Sequence, residues 1–255
     1  MNAQVLQQQA EMVVQNQVLK AQNERLEDLN REMDGILHVV AHDLKAPLNQ
    51  TVGLANLIQI SGDLNADQVK YTEMIAKVAD NAGRLVRDLV EISMLESEKT
   101  QMQSEEIELS SFLAESMAGF QREAERKSIE LRVEAPDAEM KATVDRGFLV
   151  RVLDNLVSNA LKFSPKGRIV KVRLTARADG ALFEITDQGP GMSAEDKEKM
   201  FKKFQRLSAR PTAGESSTGL GLAIVHALVG RMRGRIEVES EVGVGTVFRV
   251  WVPLV

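Results

Sequence analysis

The stretch HVVAHDLKAPLNQ, residues 38–50, places an aspartate directly after a histidine in a segment that otherwise has the apolar spacing of a helix. The pair is His42 and Asp43, and Pro47 follows five residues after the histidine. His42 falls one position off the apolar seam of that helix, so the burial of an apolar face does not explain it. The helical pattern extends in both directions from this stretch.

Upstream of His42, apolar residues recur every seven positions, which is typical of a supercoiled helix whose seam faces a partner helix. The repeat runs over five heptads and consists of Val5, Met12, Leu19, Leu26, Met33 and Val40. We therefore predict a coiled coil over residues 1–36 that joins two copies of the chain as a homodimer. A solvated single helix is the alternative structure for this segment.

Downstream of His42, the apolar seam continues at spacings of three and four, and a second amphipathic helix follows after a turn. The first seam consists of Leu37, Ala41, Leu44, Leu48, Val52, Ala55 and Ile58. The second consists of Val69, Ile75, Val78, Ala82, Leu85, Leu89, Ile92 and Leu95. The turn SGDLNAD, residues 61–67, is rich in turn-forming residues. Two such hairpins, one from each chain, would form a dimeric four-helix bundle over residues 37–97.

The pattern changes after residue 97, and a polar linker is predicted over residues 98–104, within SEKTQMQSEE. Alternating apolar runs predict the strands IELRVEA, KATVD, RIVKVRLTARAD, ALFEITDQ, RIEVESE and GTVFRVWVPLV, with a hairpin turn at the Asp-Gly of ARADGALF. Helices are predicted for SSFLAESMAGFQREAERK, RGFLVRVLDNLVSNALKF and TGLGLAIVHALVGRM. Residues 105–255 are thus expected to form an α/β sandwich, with helices on one face of a mixed sheet. The whole chain is expected to be multi-domain, α followed by α+β.

The overall composition excludes several classes of function. The formal net charge of −5 gives no basis for binding nucleic acid or anionic lipid. The chain has no cysteine and three histidines, so disulfides, thiolate zinc sites and a histidine metal cluster are not expected. No run of about 18 uncharged apolar residues occurs, so we expect a cytoplasmic chain without a membrane span. A longer parent protein would be the place for an upstream sensor domain or a membrane anchor.

Three clusters in the second domain are typical of a nucleotide-binding site. They are DNLVSNALKF at residues 154–163, DQGPGM at residues 187–192 and STGLGLAI at residues 217–224. Glycines let backbone approach a ligand closely, and a helix that begins just after them offers N–H groups to phosphate. Asn155, Asn159 and Lys162 share one helix face, where amide oxygens suit Mg²⁺ and the lysine suits phosphate. Helix-capping or surface amides are the alternative.

Two common ATP-binding designs are absent, because the sequence has no GxxxxGK[ST] motif and no HRD–DFG pair. The motifs instead resemble, in their order along the chain, those of the bacterial sensor histidine kinases of two-component signalling. The resemblance covers residues 35–255. The matching motifs are HDLKAPL (phospho-acceptor box), DNLVSNALKF (N box), DQGPGM (first glycine box), MFKKFQRL (phenylalanine box) and TGLGLAI (second glycine box).

The resemblance implies roles for individual residues. His42 would be phosphorylated, Asn159 would bind Mg²⁺ with Asn155 as a further candidate ligand, and Lys162 would contact phosphate. Asp187 would accept a hydrogen bond from the adenine amino group. The other ATP-binding residues implied by the motifs are Phe163, Gly189, Gly191, Phe204, Thr218, Gly219, Leu220 and Gly221. The segment between Gly191 and Gly219 would be the mobile ATP lid of the family.

The resemblance also implies an activity, the autophosphorylation of His42 with ATP and Mg²⁺ and transfer of the phosphoryl group to an aspartate of a response regulator. Asp43 would accept the other ring N–H of His42, and Lys45 would meet the incoming phosphates, with ordinary surface charge as the alternative for both. Ala46 stands where the family often has a Thr or Asn that positions water, so we expect weak phosphatase activity. Ser217 replaces a glycine that is common in the second glycine box.

Three other kinds of protein share parts of this pattern. An ATP hydrolase of the chaperone or mismatch-repair type uses a Glu one turn before the magnesium-binding Asn, but that position here is Asn155, and an amide is no general base. An anti-sigma-type serine kinase has the ATP domain without a hairpin that exposes a histidine. A non-catalytic scaffold would not need intact glycine and asparagine motifs. Of the other histidines, His38 lacks an adjacent acid, and His226 is expected to be packed among apolar residues.

Overall fold

The computed structural model of the chain describes residues 12, 15–20, 22, 25, 40–41, 43–60, 62–96, 102–177, 180–212 and 218–253. These residues form two compact units, divided after Ser97. Most of the predicted coiled coil lies outside the described residues. Of its heptad positions, Met12, Leu19 and Val40 are helical and exposed. The coiled coil therefore stays a prediction.

The first unit contains a helical hairpin. Helix α1 is described over residues 43–60, and helix α2 spans Ala66–Glu96. Asn65 and Gln68 cap α2 reciprocally, since each side-chain oxygen accepts a hydrogen bond from the other residue's backbone N–H at 2.9 Å. The predicted pair of helices is therefore present. Within the described residues, no helix is long and apolar enough to cross a membrane.

Two side-chain hydrogen bonds mark the course of α1. The helix continues through Pro47, whose carbonyl accepts a bond from the Thr51 hydroxyl at 2.9 Å. Near the turn, Gln59 Nε2 donates to Thr72 Oγ1 at 2.9 Å and links α1 to α2. The contact between these two polar residues fixes how the helices meet beside the turn.

The second unit is built on seven strands: β1 (Ser104–Glu108), β2 (Glu130–Glu134), β3 (Lys141–Asp145), β4 (Ile169–Arg177), β5 (Gly180–Asp187), β6 (Arg235–Glu241) and β7 (Gly245–Pro253). Five of them form one sheet with the order β2-β4-β5-β7-β6, in which β2 and β4 are parallel and the other neighbours antiparallel. Strands β1 and β3 form a separate antiparallel pair. The main sheet is therefore mixed, as predicted.

Four helices accompany these strands: α3 (Leu109–Arg126), α4 (Arg146–Phe163), α5 (Ala194–Lys199) and α6 (Gly221–Arg231). The N-termini of α3, α4 and α5 are capped by the side chains of Glu108, Asp145 and Ser193. Among the residues that the structure describes, no side chain caps α6. The first N–H groups of α6 therefore face no capping side chain, which is the property of a helix end that binds anions.

The core lies between one face of the main sheet and the helices. Every second residue of the central strands is buried, namely Val170, Val172, Leu174, Ala181, Phe183, Ile185, Phe248, Val250 and Val252. The opposite face carries ion pairs, in which Arg173 contacts Glu134 at 2.7 Å and Arg249 contacts Glu184 at 2.9 Å. The predicted arrangement, with helices on one face of a mixed sheet, is confirmed.

Three details differ from the sequence-based expectation. Strand β1 begins inside the segment predicted as a linker, because its pairing with β3 uses backbone groups and only Ile107 of its five residues is buried. Helix α5 was not predicted, and α6 begins at Gly221 rather than at Thr218. Strands β4 and β5 form the predicted hairpin, and its connecting residues 178–179 lie outside the described residues.

Candidate functional site

The ends of three neighbouring strands bring Asp187, Thr246 and Ser240 into one row across the main sheet. The Asp187 carboxylate accepts a hydrogen bond from the Gly189 N–H at 2.8 Å and another from the Thr246 N–H. Burial raises the pKa of Asp187 to about 6, although both hydrogen bonds act in the opposite direction. The row therefore ends in a half-buried carboxylic acid whose pKa lies well above its ordinary value.

The glycines of DQGPGM lie where side chains would not fit. Gly191 has a φ of 69°, and a Cβ there would overlap the Glu241 carbonyl. A Cβ on Gly189 would come within 2.9 Å of Asp187 Oδ1. The loop after Asp187 therefore lies directly against the end of β6, and its backbone turns tightly around the carboxylate.

Helices α4 and α6 meet at the predicted asparagine strip. The position that a Cβ on Gly221 would occupy lies 2.7 Å from Asn155 Oδ1 and 4.0 Å from Asn159 Nδ2. Asn155 Nδ2 donates to the Arg151 carbonyl at 2.8 Å, which fixes the orientation of the amide. Within the described part of the chain, no hydrogen bond engages the Asn159 amide. Both amides thus adjoin the N-terminus of α6, the one without a capping side chain.

The last turn of α4 contacts two other segments. The Lys162 carbonyl accepts hydrogen bonds from the N–H and the hydroxyl of Thr212, both at 3.0 Å. The Phe163 carbonyl lies 3.2 Å from the Cβ position of Gly189. The Lys162 ammonium lies 5.7 Å from the centre of the Phe163 ring. Lys162 and Phe163 therefore connect the loop after Asp187 with the predicted lid.

The far end of the predicted lid, at Gly219, contacts the phenylalanine box in the middle of the lid. Gly219 has a φ of 70°, and its Cβ position lies 2.8 Å from the Gln205 carbonyl oxygen and 2.9 Å from the Phe204 carbonyl carbon. Thr218 Oγ1 accepts a hydrogen bond from the N–H of Leu220 at 3.2 Å, and Leu220 is fully buried. Because Gly219 has no side chain, the backbone before α6 packs directly on the backbone of Phe204 and Gln205.

A buried carboxylate anchors the lid near its first end, and the sequence analysis did not identify it. Asp196 accepts hydrogen bonds from the N–H of Ser208 at 2.9 Å and from its hydroxyl at 2.5 Å. It also forms a capping box with Ser193 at the start of α5. The Ser-x-x-Asp pattern at residues 193–196 would have indicated the cap. The contact with Ser208 depends on the path of the chain and has no sequence signal.

The structure describes the residues that follow His42, and it describes His226 itself. Asp43 and Lys45 are exposed on α1, while His42 lies outside the described residues. The prediction that His226 is packed in the core is wrong, because it lies on the outer side of α6 and is exposed. Its ring centre lies 4.9 Å from that of Phe201, so an aromatic side chain of the phenylalanine box covers part of it.

The residues around Gly221 fit a nucleotide with a bound magnesium ion. No group of three or more His, Asp or Glu side chains that could hold a metal occurs among the described residues. A magnesium ion here would be held by neutral amide oxygens and by phosphate oxygens, a set that suits this hard cation. Within the described residues the Asn159 side-chain amide has no hydrogen bond, and Asn155 Oδ1 lies against Gly221, so both amides adjoin the start of α6.

Two family descriptions match the chain. Residues 32–98 match "His Kinase A (phospho-acceptor) domain", and residues 144–255 match "Histidine kinase-, DNA gyrase B-, and HSP90-like ATPase". The first match includes the helical hairpin. The second includes α4 with the N box, the two glycine boxes, the phenylalanine box, α6 and the β6–β7 hairpin.

Individual proteins show the same relationship. The chain is 30% identical over 214 residues to the sensor-like histidine kinase SenX3 of Mycobacterium tuberculosis, covering 84% of this chain and 52% of the relative. It is 30% identical over 237 residues to the aerobic respiration control sensor protein ArcB of Escherichia coli, covering 90% and 30%. The crystal structure of full-length ShkA in complex with AMPPNP superposes with a TM-score of 0.71 at 27% identity, covering 86% and 45%. The chain thus spans about half or less of each.

Proposed function

Since this chain belongs to the sensor histidine kinases of two-component systems, we propose that it transfers the γ-phosphoryl group of ATP to His42 and then to an aspartate of a response regulator. The observation that carries the proposal is the contact of the Asn155 amide with Gly221, at a helix N-terminus that no side chain of the described residues caps. The proposal divides the chain into four segments. Residues 1–36 form a coiled coil, residues 37–97 form the phosphotransfer hairpin, residues 98–104 form a linker, and residues 105–255 form the ATP-binding domain.

ATP would lie between the Asp187 row and the start of α6. The Asp187 carboxylate is a hydrogen-bond acceptor at the buried end, and this property suits the amino group of adenine. The first N–H groups of α6, which begins at Gly221, and the backbone of Thr218 to Leu220 suit the triphosphate. Lys162 would add a cation at the end of α4, and the other residues proposed to line the site are Phe163, Gly189, Gly191, Phe204 and Gly219.

Asn159, with Asn155 as a second candidate, would hold Mg²⁺ together with phosphate oxygens. When bound, the ion neutralises charge on the phosphates. The protein would position the ion, because the bond to the Arg151 carbonyl fixes the Asn155 amide and the absence of a side chain at Gly221 lets that amide approach the start of α6. The replacement of the hydrolases' Glu by Asn155 removes the base that would activate water, which favours transfer to a side chain over hydrolysis.

The acceptor is neutral His42, whose free ring nitrogen attacks the γ-phosphorus in line with the leaving group. A P–N bond forms as the bond to the bridging oxygen of the β-phosphate breaks, and ADP leaves. Asp43 accepts the hydrogen bond of the other ring nitrogen and stabilises the positive charge that develops on the ring. Lys45, exposed on α1, approaches the phosphates.

The hairpin would pair with a second copy of itself. Ala41 and Ala55 of the predicted seam are buried within the unit, whereas Leu44 and Ile58 are 44% and 49% exposed. Further apolar side chains exposed on the two helices are Leu54, Leu57, Ile60, Val69, Tyr71, Met74, Ile75, Val78 and Leu85. An exposed apolar surface of this extent marks an interface. The four-helix bundle of a homodimer covers it.

The remaining partners follow from the same proposal. A response regulator would dock on the bundle beneath His42, and an upstream sensor domain would act through the coiled coil. Ala46 is exposed on α1 and carries no group that could position water, so we propose weak phosphatase activity. The net charge of −5 favours protein partners over nucleic acid, and a cytoplasmic location is proposed for the catalytic part.

Phosphohistidine labelling tests the proposal. The chain is incubated with γ-labelled ATP and Mg²⁺, and the label is tested for stability in acid and base. We expect an acid-labile, base-stable label that His42→Gln abolishes. His38→Gln is the matched control, since it removes a histidine one turn earlier that has no adjacent acid, and it should retain the label. A label that survives in His42→Gln, or that is stable in acid, would contradict the proposal.

A further inference from the structure

One serine joins three parts of the nucleotide site. Ser240 Oγ accepts a hydrogen bond from the Met192 N–H at 2.8 Å, donates to the Gly245 carbonyl at 2.9 Å, and lies 2.9 Å from Thr246 Oγ1. A hydroxyl has one donor and two acceptor positions. All three positions of Ser240 are used if Thr246 donates to it. Its orientation is therefore determined by the protein.

The partners of Ser240 are the groups that surround Asp187. Met192 ends the loop that follows Asp187, and the Thr246 N–H donates to the Asp187 carboxylate. A Cβ on Gly245 would overlap the Asp187 carbonyl, so this residue also lies against Asp187. Ser240 therefore holds both the loop and the strand whose N–H groups bind the carboxylate.

A second contact shows that the loop rests on the β6–β7 hairpin as a unit. The Gly243 N–H donates to the Pro190 carbonyl at 2.8 Å. This bond and the one from Met192 to Ser240 lie on either side of Gly191, which packs on Glu241. Loss of the Ser240 hydroxyl would free the Met192 end of the loop, and the displacement would reach the Gly189 N–H that orients the Asp187 carboxylate.

We propose that Ser240 is a positioning residue for base recognition, which keeps Asp187 oriented so that the site distinguishes a purine with a 6-amino group from one without it. The inference rests on the proposed function, in which Asp187 accepts the adenine amino hydrogen. Ser240 itself does not contact the base. It acts through the Met192 bond and through Thr246.

The test compares the affinities of the full chain for two nucleotides that differ only in that amino group. Dissociation constants for ATP and for purine riboside triphosphate, which lacks the 6-amino group, are measured by calorimetry with Mg²⁺. We expect the unaltered chain to bind ATP about tenfold or more tightly than the analogue, the usual effect of one hydrogen bond to a charged group. In Ser240→Ala, ATP affinity should fall about tenfold and analogue affinity less than about threefold.

The ratio of the two constants separates positioning from a structural effect. If Ser240→Ala weakens both nucleotides equally, or neither, the ratio is unchanged and the inference is wrong. If the unaltered chain already fails to distinguish the nucleotides, the role proposed for Asp187 is wrong, and the inference falls with it. Asp187→Asn supplies the ratio expected when the recognition is lost.

Two further variants complete the experiment. Ser110→Ala is the matched control. The Ser110 hydroxyl donates to the Pro136 carbonyl at 3.3 Å, and neither residue belongs to the site, so this variant should leave the ratio unchanged. Thermal melting establishes that each variant is folded. If Ser240→Ala does not fold, Ser240→Cys is measured, since a thiol is of similar shape but forms weak hydrogen bonds. A reduced ratio in either variant supports the inference, and a full ratio overturns it.

Discussion

The Asn155 side-chain oxygen lies 2.7 Å from the position that a Cβ on Gly221 would occupy, although the two are 66 positions apart in the sequence. Helices α4 and α6 can approach here because residue 221 has no side chain. The contact places the candidate ligands for Mg²⁺ beside the helix N-terminus proposed for the triphosphate. The first prediction concerns this relationship.

Gly221→Ala should weaken ATP binding by about tenfold or more, because the added methyl must displace the Asn155 amide or the start of α6. The measurement is the dissociation constant for ATP with Mg²⁺. Gly230→Ala is the matched control on the same helix, since a Cβ there meets nothing within 4 Å. It should leave binding unchanged and raise the free energy of unfolding by up to about 1 kcal/mol. Equal ATP affinities in the two variants would contradict the prediction.

The raised pKa of Asp187 predicts a pH dependence of ATP binding. Below pH 6 this carboxyl becomes protonated and is a poorer acceptor, so ATP should bind about tenfold more weakly at pH 5 than at pH 7. Asp187→Asn is the control, because it remains neutral while ATP itself titrates as before. A pH profile that is the same in both proteins would rule out a role for Asp187.

The same pKa predicts that the free energy of unfolding falls as pH rises, whereas ATP affinity increases with pH. Because burial raises the pKa from 3.8 to about 6, the folded chain binds more protons than the unfolded chain between these values. Asp187 should therefore reduce the free energy of unfolding as pH rises from about 4 to about 6. Urea unfolding at several pH values tests this. The reduction should be smaller in Asp187→Asn, and an equal slope in both proteins would contradict the assignment.

Asp196→Ala should release the first end of the lid. The variant leaves the Ser208 N–H and hydroxyl without their acceptor, at a cost of about 1–3 kcal/mol. Limited proteolysis between residues 200 and 218 should become faster. Hydrogen bonds from Ser208 lower the pKa of Asp196, so the stabilisation is present above the ordinary carboxyl pKa and is lost as pH falls.

Glu195→Ala is the control for that experiment, since its side chain is 74% exposed and pairs with Lys199 on the surface. A surface pair of this kind contributes little to stability, because solvent screens both charges. The rate of lid proteolysis should not change in this variant. If both variants are cleaved at the same rate, the anchoring role of Asp196 is refuted.

Val78→Glu should dissociate the homodimer, because it places a charge in the apolar surface of the hairpin, where Val78 is 66% exposed in the single chain. We expect a monomer by light scattering at micromolar concentration. Lys77→Glu is the control, since it lies about 100° around the same helix at an exposed polar position. A dimer that persists in Val78→Glu would exclude this surface as the interface.

Ala46→Thr should raise the rate at which the chain dephosphorylates its response regulator, because it adds a hydroxyl one turn after His42. Ala46 is exposed, so the substitution needs no repacking. Ala46→Val has the same shape without the hydroxyl and should not raise the rate. Loss of phosphoryl label from the response regulator is measured for both. An equal effect of Thr and Val would mean that the hydroxyl does not position water.

Much of the fold could be predicted from local pattern. The two hairpin helices, the mixed sheet and the β4–β5 hairpin follow from the spacing of apolar residues, since burial of one face imposes a period on the sequence. Strand β1 escaped prediction because its residues are mostly exposed and acidic. Its structure depends on backbone bonds to β3, which leave no period in the side chains.

The candidate site, like the fold, could be predicted only in part from the sequence. The sequence by itself determined which residues are candidates, because glycines, amides and an aspartate occur in ordered motifs whose chemistry suits a nucleotide. Tertiary structure alone decided which of them meet: Asn155 with Gly221, Asp187 with Thr246, and Asp196 with Ser208. These contacts join residues far apart in the chain or across an irregular turn. Their distances depend on the packing of whole helices and strands, which no local stretch of sequence contains.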